Sequence, residues 1–169
     1  PAASGPATVF GYTSNDLEYW AHLIARNLAS AGITKEDVVQ ICFAHGLFAG
    51  GFGLHSGAEL IGASVLPVSA TDIASQVRVM QDFRTTVLIG LPGYALQVAH
   101  VMHEMDIDPN SLSLRVGVFG GEAWSEDTRQ EIEHRLQITT TDMYGLAEMA
   151  GPGVSAECQH HCGMHIAED

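Results

Sequence analysis

Positive charge is what this sequence has least of. In 169 residues, 7 Lys and Arg stand against 20 Asp and Glu, the only lysine is Lys35, and the formal net charge is −13. Binding to polyanions needs clustered Lys and Arg, so nucleic acid and anionic membrane surfaces are excluded as partners. Long apolar runs are missing too, and none approaches the ~20 residues of a membrane span. The opening Pro1-Ala2-Ala3-Ser4-Gly5 has neither the basic nor the apolar region of a signal peptide. Cysteine is scarce: there are three, and Cys42 falls inside an apolar run that reads as a buried strand, so they form no disulfide framework. A reducing, cytoplasmic location is expected. Repeats, low-complexity tracts and interdomain linkers are also absent.

What is present is enough for one well-filled domain spanning residues 1–169. Hydrophobic residues make up 46% of the chain and charged residues 16%, which argues against disorder. Apolar segments and helical periods alternate. Thr13 with Asp16 forms a capping-box pattern ahead of Leu17, Trp20, Ile24 and Leu28 at helical spacing, and Gly32 ends that helix. Val38–Phe43 reads as a buried strand. A glycine-rich stretch, Gly46–Gly57, leads into a short helix, and Ala63–Val68 is the next strand. Ser69 or Thr71 caps a helix with the apolar face Ile73, Val77, Met80 and Phe83. Thr85–Ile89 is a strand, Pro92 opens a helix through Met105, and Asp108-Pro109-Asn110 is a turn. Leu114–Val118 and Ile138–Thr141 are further strands, with a helix between them capped by Ser125. Such alternation predicts an α/β fold, a doubly wound and mostly parallel sheet flanked by helices. Residues 151–169 lose this periodicity and read as an irregular Cys- and His-rich terminal segment.

The most informative residues follow the last two strands. Phe119-Gly120-Gly121-Glu122-Ala123-Trp124 and Thr141-Asp142-Met143-Tyr144-Gly145-Leu146-Ala147-Glu148 read as two glycine-bearing loops at the carboxyl ends of neighbouring parallel strands. Open α/β sheets bind ligands there. A Gly-Gly pair lets backbone approach a flat ring, Tyr144 offers a ring face, and Glu148 offers a hard oxygen ligand suited to Mg²⁺. The plainer alternative makes Tyr144 a half-buried aromatic at a strand end and Glu148 an ordinary helix-entry acid.

With these residues in view, the chain resembles, nearly end to end, the phenylacetate–coenzyme A ligases of the adenylate-forming, AMP-binding superfamily. The resemblance implies part of the large N-terminal domain of such an enzyme. It implies that Gly121, Glu122 and Ala123 line adenine, that Asp142, Met143, Tyr144 and Gly145 lie against the nucleotide, and that Glu148 helps hold magnesium. It also implies an aromatic acid, Mg·ATP and coenzyme A as small-molecule partners, and leaves a homodimer open. The chain stops at Asp169, before the family's ribose-binding aspartate and the small domain with its catalytic lysine. The expectation is therefore that these 169 residues alone are inactive, with no complete catalytic set.

The longest close match runs from His45 to Glu59. In the resembled ligases it borders the acyl pocket, which assigns His45, Phe48, Gly50 and Phe52 to the substrate. The family is expected to place a tyrosine where His45 stands. Gly50, Gly53 and Gly57 recur at helical spacing and mark a bare helix face that another backbone approaches. The same stretch superficially echoes a dinucleotide-binding glycine pattern with Asp72 as ribose acid. That pattern should follow a strand directly, and seven residues separate Phe43 from Gly51. The family's phosphate loop is altered as well. Thr8–Thr13 matches the strand and helix entry that follow it, but Pro6 stands at the expected lysine and Ala2 at a loop glycine. Proline removes both the amide donor and the charge that a phosphate requires.

Cys158, Cys162 and His165 form a Cys-x3-Cys-x2-His pattern suited to tetrahedral zinc with Zn–S of about 2.3 Å, with His160 or His161 as a fourth ligand. The alternative is a set of exposed loop side chains. His100 and His103, without Cys or Asp in register, read as a solvated helix face. Two functions remain in competition: an AMP-forming aryl–coenzyme A ligase fragment, and a non-catalytic, zinc-stabilised ligand-binding module of the same fold.

Overall fold

The computed structural model describes residues 10–43, 50–66, 72–149 and 151–167. Within them the expected alternation is realised. The elements are α1 (Ser14–Ser30), β1 (Val38–Ile41), α2 (Gly50–Ile61), β2 (Ser64–Leu66), α3 (Ile73–Asp82), β3 (Val87–Gly90) and α4 (Pro92–Glu104). After a 3-10 turn at Pro109–Ser111 come β4 (Val116–Gly120), α5 (Glu126–Leu136), β5 (Thr139–Leu146), a second 3-10 turn at Ala147–Met149, β6 (Gly151–Glu157) and β7 (Met164–Ile166). One sheet holds all seven strands in the order β2-β1-β3-β4-β5-β6-β7. The first five are parallel, and β6 and β7 are antiparallel to their neighbours. The sheet is thus doubly wound and mostly parallel, as expected. Residues 151–166 differ from their sequence reading: they supply the two antiparallel strands, and their cysteines and histidines sit mainly in the turn between them.

Alternation along each strand builds two cores. Val87, Ile89, Val116 and Val118 point to one face, where Trp20, Ile24, Leu28, Leu54 and Ala58 of α1 and α2 cover them. Leu88 and Phe119 point to the other, against Val77, Met80, Val98, Met102, Ile132 and Leu136 of α3, α4 and α5. Each fully buried aliphatic side chain contributes about 1.5–3 kcal/mol. Gln40 breaks the apolar pattern of β1 on the second face. It is fully buried, and its amide is satisfied by donating to Gln76 Oε1 at 2.7 Å and accepting from the Thr85 hydroxyl at 2.9 Å.

Helix ends follow local chemistry. Thr13 and Asp16 form the expected capping box. The cap of α3 is Asp72, whose carboxylate accepts the Ser75 N–H at 2.9 Å. Ser69 and Thr71, the caps expected from sequence, lie outside the described residues. Phe83, expected on the buried face of α3, is 57% exposed, because the helix ends before it.

The glycine face of α2 meets α1, as the spacing predicts: the Ala25 backbone nitrogen would lie 3.1 Å from a Cβ on Gly57, and side chains lie closer still. A Cβ on Gly53 would fall 2.3 Å from the Trp20 ring and one on Gly57 2.3 Å from Ile24. Across the same two side chains lie Gly151 and Gly153 of β6, where a Cβ would fall 2.4 Å from Trp20 and 2.6 Å from Ile24. Trp20 and Ile24 therefore sit in a slot between two glycine rows. Trp20 Nε1 donates to Pro152 O at 2.9 Å and Asn27 Nδ2 to Gly153 O at 2.7 Å, which fastens α1 to β6.

A second tie joins the amino ends of the strands. Asp37 is 4% exposed and accepts from the Thr34 N–H at 2.8 Å, the Thr86 hydroxyl at 2.7 Å and Arg115 Nε at 2.9 Å. Burial pushes its pKa up, but the hydrogen bonds from Arg115, Thr86 and the Thr34 amide, with the Arg115 charge, outweigh it and leave the pKa lowered. A lowered folded pKa means stability that is full above the ordinary carboxylate pKa of about 4 and is lost as pH falls through the folded value. Asp37→Asn is expected to cost roughly 2 kcal/mol at pH 7, a figure kept low because Arg115 is 43% exposed. The variant should also lose less stability than the parent between pH 5 and pH 3, as read by urea denaturation at each pH. Equal stabilities at pH 7 would refute the tie.

Candidate functional site

The two segments singled out in the sequence meet at one rim of the sheet. Phe119 pairs with Asp142 and Gly120 with Met143 in parallel register. The turn beginning at Gly121 therefore leaves β4 beside the point where β5 continues to Tyr144. A Cβ on Gly120 would fall 2.0 Å from the Met143 carbonyl oxygen, so only glycine lets the two backbones lie this close. Gly121 follows with φ +85°, a conformation that glycine adopts without strain.

One expectation is corrected here. Thr141 to Leu146 is not loop but strand, and the chain turns off only at Ala147–Met149. The reason is long-range: where β4 ends, β6 takes over as partner, with Tyr144 opposite Ser155 and Gly145 opposite Pro152 across a bulge. A Cβ on Gly145 would fall 2.3 Å from Gly151 O. Met143 is buried, Asp142 half-buried, Tyr144 55% exposed and Glu148 exposed. Tyr144 thus presents its ring to solvent at the rim, and Glu148 lies one short turn beyond.

Glu122 has a partner that the sequence did not disclose. Its Oε1 accepts the Gly93 N–H at 2.8 Å. Helix α4 begins at Pro92 with Leu91 as cap and no side-chain cap of its own. The Glu122 carboxylate supplies that acceptor from 29 residues away and meets the positive end of the helix dipole. Ala123 is exposed in the same turn.

Behind the rim lies a polar network that sequence reasoning missed. Arg129 on α5 donates to Glu157 Oε2 at 2.7 Å, to Thr140 O at 3.1 Å and to Glu126 at 3.1 Å, and its guanidinium lies 4.7 Å from the Trp124 ring centre. Glu157 Oε2 also accepts the Asp142 N–H at 3.0 Å. Burial raises the Asp142 pKa above its ordinary value. The Trp124 indole and the Arg129 charge oppose this rise, and the Glu157 charge adds to it. Trp124 Nε1 is buried and makes no hydrogen bond of good geometry among the described residues. No local pattern marks this set, because its members come from α5, β5 and β6.

The acyl-pocket residues are less completely placed. His45 and Phe48 lie outside the described residues. Gly50 is buried at the start of α2, and Phe52 is 58% exposed, bordering a shallow apolar depression with Tyr12, Leu17 and Trp20. Gly51 lies within α2 and Asp72 caps α3, so neither stands as the dinucleotide pattern requires. His100 is exposed and 3.5 Å from Glu104, in keeping with a solvated face.

The turn between β6 and β7 brings Cys158 and Cys162 beside His165 of β7, with ligand atoms all within 4.8 Å of one another. Cys158 Sγ lies 3.7 Å from Cys162 Sγ, which lies 3.6 Å from His165 Nε2. Tetrahedral zinc with ordinary Zn–S and Zn–N lengths sets these edges at about 3.8 and 3.5 Å. The sulfurs are too far apart for a disulfide bond of about 2.05 Å. The His160 amide, then the His165 ring, lower the Cys158 pKa to about 7, which favours the thiolate a metal needs. His160, the fourth ligand expected from sequence, is not in the cluster. His161 Nδ1 turns the other way, 3.2 Å from Arg129 Nη1 and 3.7 Å from Glu157 Oε2. Cys42, in contrast, has its thiol pushed up to about 11 by burial and is unsuited to metal binding. No described helix is long and apolar enough to cross a membrane.

Comparison with known proteins gives this geometry its context. No family model matches the chain. The phenylacetate–coenzyme A ligase of Pseudomonas putida is 43% identical over 155 residues, which is 92% of this chain and 35% of that protein. That of Escherichia coli strain K12 is 43% identical over 156 residues, again 92% of this chain and 36% of the relative. The chain thus spans little more than a third of the curated relatives it matches. An open conformation of 2-hydroxyisobutyryl-CoA ligase, crystallised with 2-HIB-AMP and CoA, superposes at a TM-score of 0.89 with 27% identity. The match covers 96% of this chain and 39% of that one. Along nearly all of its length the chain is therefore similar to phenylacetate–coenzyme A ligases, and its fold is that of adenylate-forming CoA ligases.

Proposed function

We propose that this chain carries the nucleotide-facing part of an AMP-forming aryl–coenzyme A ligase of the phenylacetate type. In that reaction a carboxylate oxygen of the acid attacks the α-phosphorus of ATP and pyrophosphate leaves. The coenzyme A thiol then attacks the acyl carbon and AMP leaves. The observation that carries the reading is the pairing of Gly120 with Met143, which brings residues 121–123 and 144–148 to one rim in a chain so similar to these ligases. Gly121 and Ala123 would approach the adenine edge through their backbone, and Tyr144 would offer a ring face. Glu122 would set the turn by holding α4. Asp142, Met143 and Gly145 would shape the backbone beneath. Magnesium would arrive with ATP, and Glu148, an exposed carboxylate, would meet it. Phe52 and Gly50, with His45 and Phe48, would border an aromatic acid. A structural zinc on Cys158, Cys162 and His165 would pin the β6–β7 turn, and a reducing cytoplasm suits its thiols.

Calorimetric titration of the purified chain with AMP and with Mg·ATP tests the reading. Saturable binding of AMP is expected. Glu148→Gln should weaken Mg·ATP by about tenfold and leave magnesium-free AMP within about twofold, because only the former brings a cation to that carboxylate. If neither nucleotide binds, the ligase reading fails, and a non-catalytic module of the same fold takes its place.

A further inference from the structure

Glu157 occupies a junction that neither the nucleotide rim nor the cysteine loop explains alone. It is the last residue of β6, immediately before Cys158. Its side chain is 15% exposed, and a single oxygen, Oε2, faces two donors and, farther off, a ring nitrogen. They are Arg129 Nη2 at 2.7 Å, the Asp142 N–H at 3.0 Å, and the His161 ring at 3.7 Å. Asp142 N–H belongs to the strand that forms the rim, one residue before Met143 and two before Tyr144. His161 belongs to the turn that carries Cys158 and Cys162, and it holds φ +49°, a conformation rare for a side-chain-bearing residue. Arg129 ties both to α5 by reaching Thr140 on β5 and His161 in the turn. The turn and the rim therefore share one donor, Arg129, which bonds His161 on one side and, on the other, the Glu157 carboxylate that holds the Asp142 amide.

From this junction we infer that Glu157 and Arg129 couple the cysteine–histidine turn to the nucleotide rim, so that a divalent metal on Cys158, Cys162 and His165 tightens adenosine-nucleotide binding. The inference rests on the two sites proposed above and adds the link between them. Metal on the three ligands fixes the path from Cys158 to His165 and with it His161. A fixed His161 holds Glu157 and Arg129 in register, and Glu157 then holds the Asp142 amide. Without metal, the turn samples other paths, Glu157 follows it, and the rim must be ordered at the expense of nucleotide affinity. Linkage is reciprocal: AMP must tighten the metal by the same factor.

The test uses the full chain, freed of metal with a chelator, and AMP as probe. AMP affinity is measured calorimetrically with and without one equivalent of Zn²⁺. Co²⁺ absorption reports thiolate ligation independently of any nucleotide. Zinc is expected to strengthen AMP binding by about fivefold, and AMP to strengthen zinc equally. In Glu157→Gln each ligand should still bind, with AMP affinity indifferent to zinc. His161→Ala, which leaves the rim contacts of Glu157 in place, should show the same indifference, and it carries the test if the first variant does not fold. Equal AMP affinities with and without zinc in the parent overturn this inference alone. Coupling that survives in both variants also overturns it. Absence of AMP binding, or of Co²⁺–thiolate absorption, removes the corresponding site and the coupling with it.

Discussion

Gly120→Ala should weaken AMP binding more than tenfold while removing roughly 3 kcal/mol of stability. The added methyl would sit 2.0 Å from the Met143 carbonyl oxygen, which belongs to backbone and cannot swing aside like the end of a side chain. Either β4 and β5 part at their carboxyl ends or the Gly120–Gly121 turn is rebuilt. Overpacking a fixed core costs about 1–3 kcal/mol, and a backbone collision lies at the upper end. Both escapes displace residues 121–123 relative to Tyr144, so loss of affinity beyond tenfold should accompany the stability loss. Gly11→Ala is the internal control: nothing lies within 4 Å of that Cβ, and the change should fall within about 0.5 kcal/mol of the parent. Urea denaturation and AMP calorimetry read the two effects. An alanine variant that keeps parental affinity would show that the close approach of β4 and β5 does not shape the nucleotide rim.

The largest loss of stability is expected from Trp20→Ala, at about 3–5 kcal/mol. Trp20 is 2% exposed and fills the slot between Gly53 of α2 and Gly151 of β6. Glycines on both walls cannot close the space that truncation leaves. The Pro152 carbonyl also loses the indole donor, which adds an unpaired acceptor. Trp20→Phe keeps most of the buried area and gives up the hydrogen bond, so it should cost about 1–2 kcal/mol. A Trp20→Ala variant within 1 kcal/mol of the parent by urea denaturation would mean that the slot does not hold α1 to the sheet.

Much of this was legible in the sequence where the causes are local. The Thr13–Asp16 capping box, Pro92 at a helix start, the Ser125 cap and the β-branched runs each act within a few residues, and the structure places them as expected. The glycine spacing of α2 correctly announced a close approach. What stayed hidden depends on partners far along the chain. Tyr144 and Gly145 read as loop because nothing nearby shows that β6 will return to pair with them. That Glu122 also caps a helix through Gly93, 29 residues earlier, could not be seen, because Gly93 is remote in the chain. Glu157 carries no motif, yet it joins three elements. The cysteine loop stood out by residue type, but sequence could not tell His160 from His161, since only the fold decides which ring turns toward Arg129.

The overhang of β5 beyond β4 bears on how specificity can drift. At the last three positions of β5 no residue of β4 pairs among the described residues, so under the reading proposed above an incoming heterocycle would meet peptide groups before side chains. Peptide groups do not mutate. If the proposed reading holds, a floor written in main chain would keep its taste for one base through long divergence, while the residues around it would be free to trade one carboxylic acid for another.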